Sequence, residues 1–412
     1  MNRFVRIAFF LLPLACCTAQ GNSRRVCPDC ELSSLSEAVR KAMPHDTIWV
    51  EPGSYAESGI RIDKPLIVLG KDYPVIDGRE MGEIITIVAD SVTIRGLHLK
   101  NVGTSYTTDY AAIRVVKSEA YTLSNNVMEA LFFGIYLEKS NNGTVTGNRI
   151  LGDAEEEFNS GNGIQLWYCK DVLVANNLVR RVRDGIYLEF SDRVVIRNNV
   201  SSDNVRYGLH FMFSNDDAYE DNLFENNGAG VAVMFSKNIA MRGNTFRKNW
   251  GSASFGLLLK EINDGEISGN TFEENTVGIS IEGSNRMQYS GNDFIGNGWA
   301  VKVRGACYGN TFTANNFLHN AFDLSYNSKV NDNRFYRNYW SSYTGYDLDK
   351  DGLGDVPYRP VKLYSYIVNR SPETILLLRS LFMDIIDFSE RVSPVFTPDD
   401  LQDDAPLLKP SR

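Results

Sequence analysis

Tyr207-Gly208-Leu209-His210-Phe211-Met212-Phe213-Ser214-Asn215 and Gly230-Val231-Ala232-Val233-Met234-Phe235-Ser236-Lys237-Asn238 are one pattern written twice. The Gly that opens the unit recurs at 134, 163, 185, 208, 230, 256 and 278, and Ala112 and Ala300 take its slot one step outside the series. An Asn ahead of an apolar or aromatic run recurs at 126, 148, 177, 199, 222, 244, 270, 292 and 315. A step near 22 residues with short β runs and Gly/Asn turns predicts a solenoid. Leucine-rich repeats have a similar length, but their Leu pattern and helical half are absent. The expected fold is all-β, a right-handed parallel β-helix whose buried Asn side chains hydrogen-bond along the stack.

Alternation within a unit sorts its side chains. Ile135/Leu137, Ile186/Leu188, Leu209/Phe211, Val231/Val233 and Ile279/Ile281 point inward. Two columns point outward: Tyr136, Gln165, Tyr187, His210, Ala232, Leu258, Ser280, and Glu138, Trp167, Glu189, Met212, Met234, Lys260, Glu282. Phe190, Phe213 and Phe235 follow and are expected to stack inside. Met128, Met241 and Met287 fall near inward slots, as core filler.

The chain has 412 residues and a net charge of −9, which argues against a general nucleic-acid or anionic-membrane binder. Residues 1–19 read as an export signal: Arg3 and Arg6, an apolar run from Ile7 to Ala15, then Cys17-Thr-Ala19 for cleavage. Lipid attachment at Cys16 or Cys17 is the alternative. Residues 20–80 are expected to form an N-terminal cap and first coils. Within them Ser34-Leu-Ser-Glu37 forms a capping box for a helix at about 35–42. Repeats fill 81–337, an Asp/Gly-rich loop 338–365, and a helix with an extended tail 366–412.

Three groups carry chemistry. Met212 and Met234 should lie one rung apart, about 4.8 Å, with His210 about 6.6 Å along the strand on the same face. Two thioethers and an imidazole suit Cu(I) better than Zn or Mg. The bland reading is an apolar ridge packed under a loop. Cys27-x-x-Cys30 suits a soft metal, redox exchange or a plain disulfide. Cys169 takes a slot held by Ser in other coils and reads as structural, and Cys307 lies at a turn. Asp347, Asp349, Asp351 and Asp355, with the Leu353 carbonyl, can converge on Ca²⁺; the alternative is a solvated turn. Tyr358 stands where an EF-hand needs Glu. No nucleophile triad or phosphate loop is evident. A polysaccharide lyase or carbohydrate-binding β-helix remains the competing class, but the basic cluster that would hold a polyuronate is missing.

Tyr207-Gly-Leu-His210-Phe-Met212-Phe-Ser-Asn-Asp216, the coil ending Met234-Phe-Ser-Lys237, and Asn338-Tyr-Trp through Tyr346-Asp-Leu-Asp-Lys-Asp-Gly-Leu-Gly-Asp-Val-Pro-Tyr-Arg-Pro360 resemble the NosD family, periplasmic proteins of nitrous oxide reductase maturation. The resemblance runs from the capping helix to the C-terminal Pro372–Pro398 region. It implies a non-enzymatic copper-binding protein, with copper on His210, Met212 and Met234. It further implies partners: the permease and ATPase subunits of an ABC transporter, a copper-delivering lipoprotein, and nitrous oxide reductase itself. A C-terminal helix near 374–391 would dock on the permease and hold the exported chain at the inner membrane. Whether Cys27 and Cys30 touch copper stays open.

Overall fold

The computed structural model describes residues 21–327, 332–377, 380–392 and 401–411. The expected export signal, with Cys16 and Cys17, lies outside them. The chain winds as a right-handed parallel β-helix, and each coil passes through three short strands that stack into three parallel sheets of 14, 13 and 12 strands. The repeat glycines open the strands of the 12-stranded sheet. Its inward column runs Ile135, Ile164, Ile186, Leu209, Val231, Leu257, Ile279 and Val301, all fully buried. Glycine suits the opening slot because adjacent coils meet there. A Cβ added at Gly208 would lie 2.8 Å from Asn227 Nδ2 and 2.9 Å from the Gly230 carbonyl oxygen.

The Asn column is a continuous ladder. From Asn126 to Asn315, each Nδ2 donates to the Oδ1 of the next Asn, which also accepts the preceding rung's backbone N–H. Every turn thereby satisfies buried backbone that would otherwise cost about 1–3 kcal/mol per unpaired group. A second ladder, Asn204–Asn227–Asn249–Asn275–Asn297–Asn320, runs one corner away.

Both ends of the stack are covered. Helix α1 (Leu35–Lys41) buries Leu35, Ala38 and Val39 over the first coils. Ser34 caps it by accepting the Glu37 N–H. The reciprocal half of the expected capping box is not made. Glu37 pairs with Lys41 instead, and Glu57, just past the strand Ser54–Ala56, takes the Leu35 and Ser36 N–H groups. At the other end the tail differs from the extended segment expected. Residues 401–411 fold back on the last coils, and the buried Asp403 carboxylate accepts from the Asn338 N–H and Nδ2 and from Trp340 Nε1. It stands where the next ladder Asn would be.

The C-terminal helix also differs. Helix α2 (Leu363–Arg370) ends at Ser371, a 3₁₀ turn spans Pro372–Leu377, and helix α3 covers Leu381–Val392. Pro372 has no N–H to continue α2, so the break falls there. Tyr364 and Val368 of α2 pack on Trp299 and Phe322. Among the described residues no helix is long and apolar enough to cross a membrane.

Candidate metal site

Met212 and Met234 are direct partners across adjacent strands, Tyr207–Met212 and Ala229–Met234, and both are half-buried. Glu189 precedes them in the column and Lys260 follows. Beside them runs an aromatic row. Tyr168, Phe190, Phe213 and Phe235 stack at centroid spacings of 4.7, 5.1 and 5.1 Å. The row lies outside the solenoid, not inside as alternation suggests, and Phe213 is 40% exposed. The cause is local. These four residues have φ near +50°, which ends the strand and breaks the period of two. The next residue, Ser214 in its coil, takes the inward slot and joins a buried Ser ladder. Cys169 occupies that slot two coils earlier, next to Ser191, and burial pushes its thiol up to about 11.

His210 shares the outer face with the methionines but is sunk to 7% exposure. Its ring lies between Tyr187 and Tyr207, at centroid distances of 5.0 and 4.9 Å. Neither ring nitrogen has a hydrogen-bond partner. Behind it lies Asp184, fully buried, with Oδ2 3.6 Å from His210 Nδ1. Arg206 grips both Asp184 oxygens, Nε to Oδ1 at 2.8 Å and Nη2 to Oδ2 at 2.5 Å, and its Nη1 reaches Glu157 at 2.8 Å. Burial alone would push the Asp184 carboxyl up; the Arg206 guanidinium and the neighbouring imidazole hold it below the ordinary aspartate value. Burial raises the Tyr187 phenol to about 12, so no tyrosinate oxygen competes as a donor. Two neutral thioethers and an imidazole with buried, unpartnered nitrogens fit a soft ion and fit a hard one poorly.

Asp184, Arg206 and Glu157 were not among the residues singled out in the sequence. Their signal there was weak: a lone Asp before a repeat Gly, and an acidic insertion (Glu155, Glu156, Glu157) that reads as solvated. The insertion is indeed exposed, but Glu157 returns to the sheet.

Cys27 and Cys30 are joined in a disulfide, so their sulfurs are not thiolate donors in this state. Asp347, Asp349 and Asp351 each offer a carboxylate oxygen within 4.8 Å of the others. Asp355 is not part of that group; its Oδ2 accepts the Leu348 N–H at 2.6 Å. The Leu353 strand bridge to Leu407 ties this loop to the returning tail.

The architecture and site define a parallel β-solenoid that displays soft donors on one outer face. Residues 39–159 and 152–345 match the profile of the family described as periplasmic copper-binding protein (NosD), and the chain belongs to that family. It is 30% identical over 378 residues, 87% of each chain, to the probable ABC transporter binding protein NosD of Pseudomonas aeruginosa. It is 29% identical over 389 residues to the protein of that name from Stutzerimonas stutzeri, covering 88% of this chain and 86% of that one. Among solved structures it resembles the A-module of mannuronan C-5 epimerase AlgE4 from Azotobacter vinelandii, with a TM-score of 0.55 and 13% identity over 71% of this chain and 91% of the module. The Dettilon tailspike protein gives a TM-score of 0.57 at 14% identity, over 70% and 64%. At such identities the likeness is one of fold.

Proposed function

We propose that the chain is a non-catalytic carrier of Cu(I) that serves an ABC transporter in building the copper centre of nitrous oxide reductase. The observation that carries this reading is the registered Met212/Met234 pair beside the buried, unpartnered His210, in a member of a periplasmic copper-binding family. Copper is cargo here: Met212 and Met234 supply thioethers, His210 an imidazole nitrogen, and a copper-delivering lipoprotein supplies the ion. The names of the two relatives support the transporter as partner. Helix α3 supports a docking role on the permease, since Leu381, Phe382, Ile385 and Phe388 are all exposed.

Anaerobic Cu(I) titration against a competing chelator tests the reading. Wild type should bind tightly, and Met212→Ala with Met234→Ala should lose the site with unchanged circular dichroism. Equal binding by both proteins would remove copper from this face.

The Asp347, Asp349, Asp351 group is proposed to hold structural Ca²⁺, with the Leu353 carbonyl as a further ligand and Asp355 bracing the loop through the Leu348 N–H. Millimolar Ca²⁺ should raise the unfolding temperature, and Asp349→Asn with Asp351→Asn should abolish the rise. A calcium-independent midpoint in wild type would sink the assignment.

A further inference from the structure

The slot before the repeat glycine is apolar in most coils, held by Phe133, Ala229, Val277, Trp299 and Phe322. Asn162 and Asp184 interrupt it in consecutive coils, and Asp184, the charged one, pairs in register with Tyr207. Taking the Asp184 carboxylate wholly out of water is costly, and pairing it with the partly exposed Arg206 does little by itself to stabilise the fold. The pair therefore asks for a role beyond packing. Arg206 occupies both carboxylate oxygens and fixes their direction. The same Oδ2 faces one nitrogen of His210, Nδ1, at 3.6 Å. The flanking tyrosine rings hold the imidazole in that orientation.

We infer that Asp184, clamped by Arg206, is a positioning residue for His210, keeping the ring proton on Nδ1 and leaving the Nε2 lone pair for a soft metal ion. The inference rests on the copper reading above. Asp184 is not itself a ligand, because its oxygens are hard donors already engaged by Arg206. A carboxylate behind a metal-binding imidazole sets the tautomer and raises ligand basicity. At 3.6 Å the contact is longer than a hydrogen bond.

The test reads the tautomer on metal-free protein. Long-range ¹H–¹⁵N spectra of the four labelled histidines, assigned with His210→Gln, are recorded at alkaline pH, where imidazoles are neutral. Free imidazole side chains in water favour the proton on Nε2, so an Nδ1–H ring at 210 is distinctive. Wild type should show it. Asp184→Leu with Arg206→Met, which replaces both charges by apolar volume, should revert to Nε2–H and weaken Cu(I) about 10–100-fold. A proton on Nε2 in wild type overturns the inference, and this holds even if the double variant fails to fold. Unchanged tautomer and affinity in a folded double variant also overturn it. A wild type with the Nδ1 proton but no Cu(I) binding overturns the copper reading and the inference with it, and the metal-free spectra tell that failure apart.

Discussion

A buried imidazole with both nitrogens unpartnered leaves polar groups stripped of water at a cost of about 1–3 kcal/mol each. His210 bears that cost on Nε2, with Nδ1 left only the 3.6 Å contact to Asp184, in a protein that elsewhere satisfies its buried amides rung by rung, which is why the ring reads as a site and not as filler. Asp323 is a second residue whose polar group is taxed by its surroundings. Its carboxylate, shared by Ser342, Tyr358 and Asn320 at 3.3–3.5 Å, is raised by burial to about 6 despite these bonds. The folded state thus holds a proton that the unfolded chain releases near pH 4. The stabilising contribution of Asp323 is full below that pH and is lost as pH rises through about 6. Asp323→Asn should gain on wild type by about 1–3 kcal/mol between pH 4 and 7. Thermal unfolding of both proteins across that range checks it; a constant difference would refute the shift. Met212 and Met234 were legible in the sequence because a period of two and a 22-residue step place them outward and in register. Phe213 was misplaced because the left-handed bend that turns it outward leaves no mark on an aromatic residue.

Among the elements, α3 is the least accounted for by its own chain. Ile386 packs toward α2 and the coils, while Leu381, Phe382, Ile385 and Phe388 stay in solvent. An apolar surface of that kind suits the docking role proposed for α3. Phe382→Asp with Phe388→Asp should abolish co-purification with the permease and leave the unfolding midpoint within about 2 °C, since neither side chain is in the core. Retained co-purification would exclude α3 as the contact. The helix boundaries were only partly legible. The segment 363–370, Leu-Tyr-Ser-Tyr-Ile-Val-Asn-Arg, is aromatic and β-branched, poor in helix formers. Packing of Tyr364 and Val368 on Trp299 and Phe322 makes it a helix, and local pattern does not report such long-range contacts.

At the scale of the whole molecule, one rule repeated along the chain makes a solenoid, and the exceptions to the rule make the candidate site. Glycines allow the coils to approach, the Asn ladder pairs buried backbone, and Asp403 from the tail closes the ladder. All of this would serve an epimerase or a tailspike equally well, so fold alone does not define chemistry. The chemistry proposed for this chain rests on two outward methionines one rung apart beside a sunken histidine. The ladder Asn column and the solenoid were readable from spacing. The tail's return was not, because Asp403 is 65 residues from Asn338 and shares no period with it. The most direct measurement is copper K-edge X-ray absorption on Cu(I)-loaded protein whose methionines are replaced by selenomethionine. The account predicts two selenium scatterers and one nitrogen, with selenium lost in Met212→Ala/Met234→Ala. A copper shell of nitrogen, oxygen or cysteine sulfur with no selenium would contradict it.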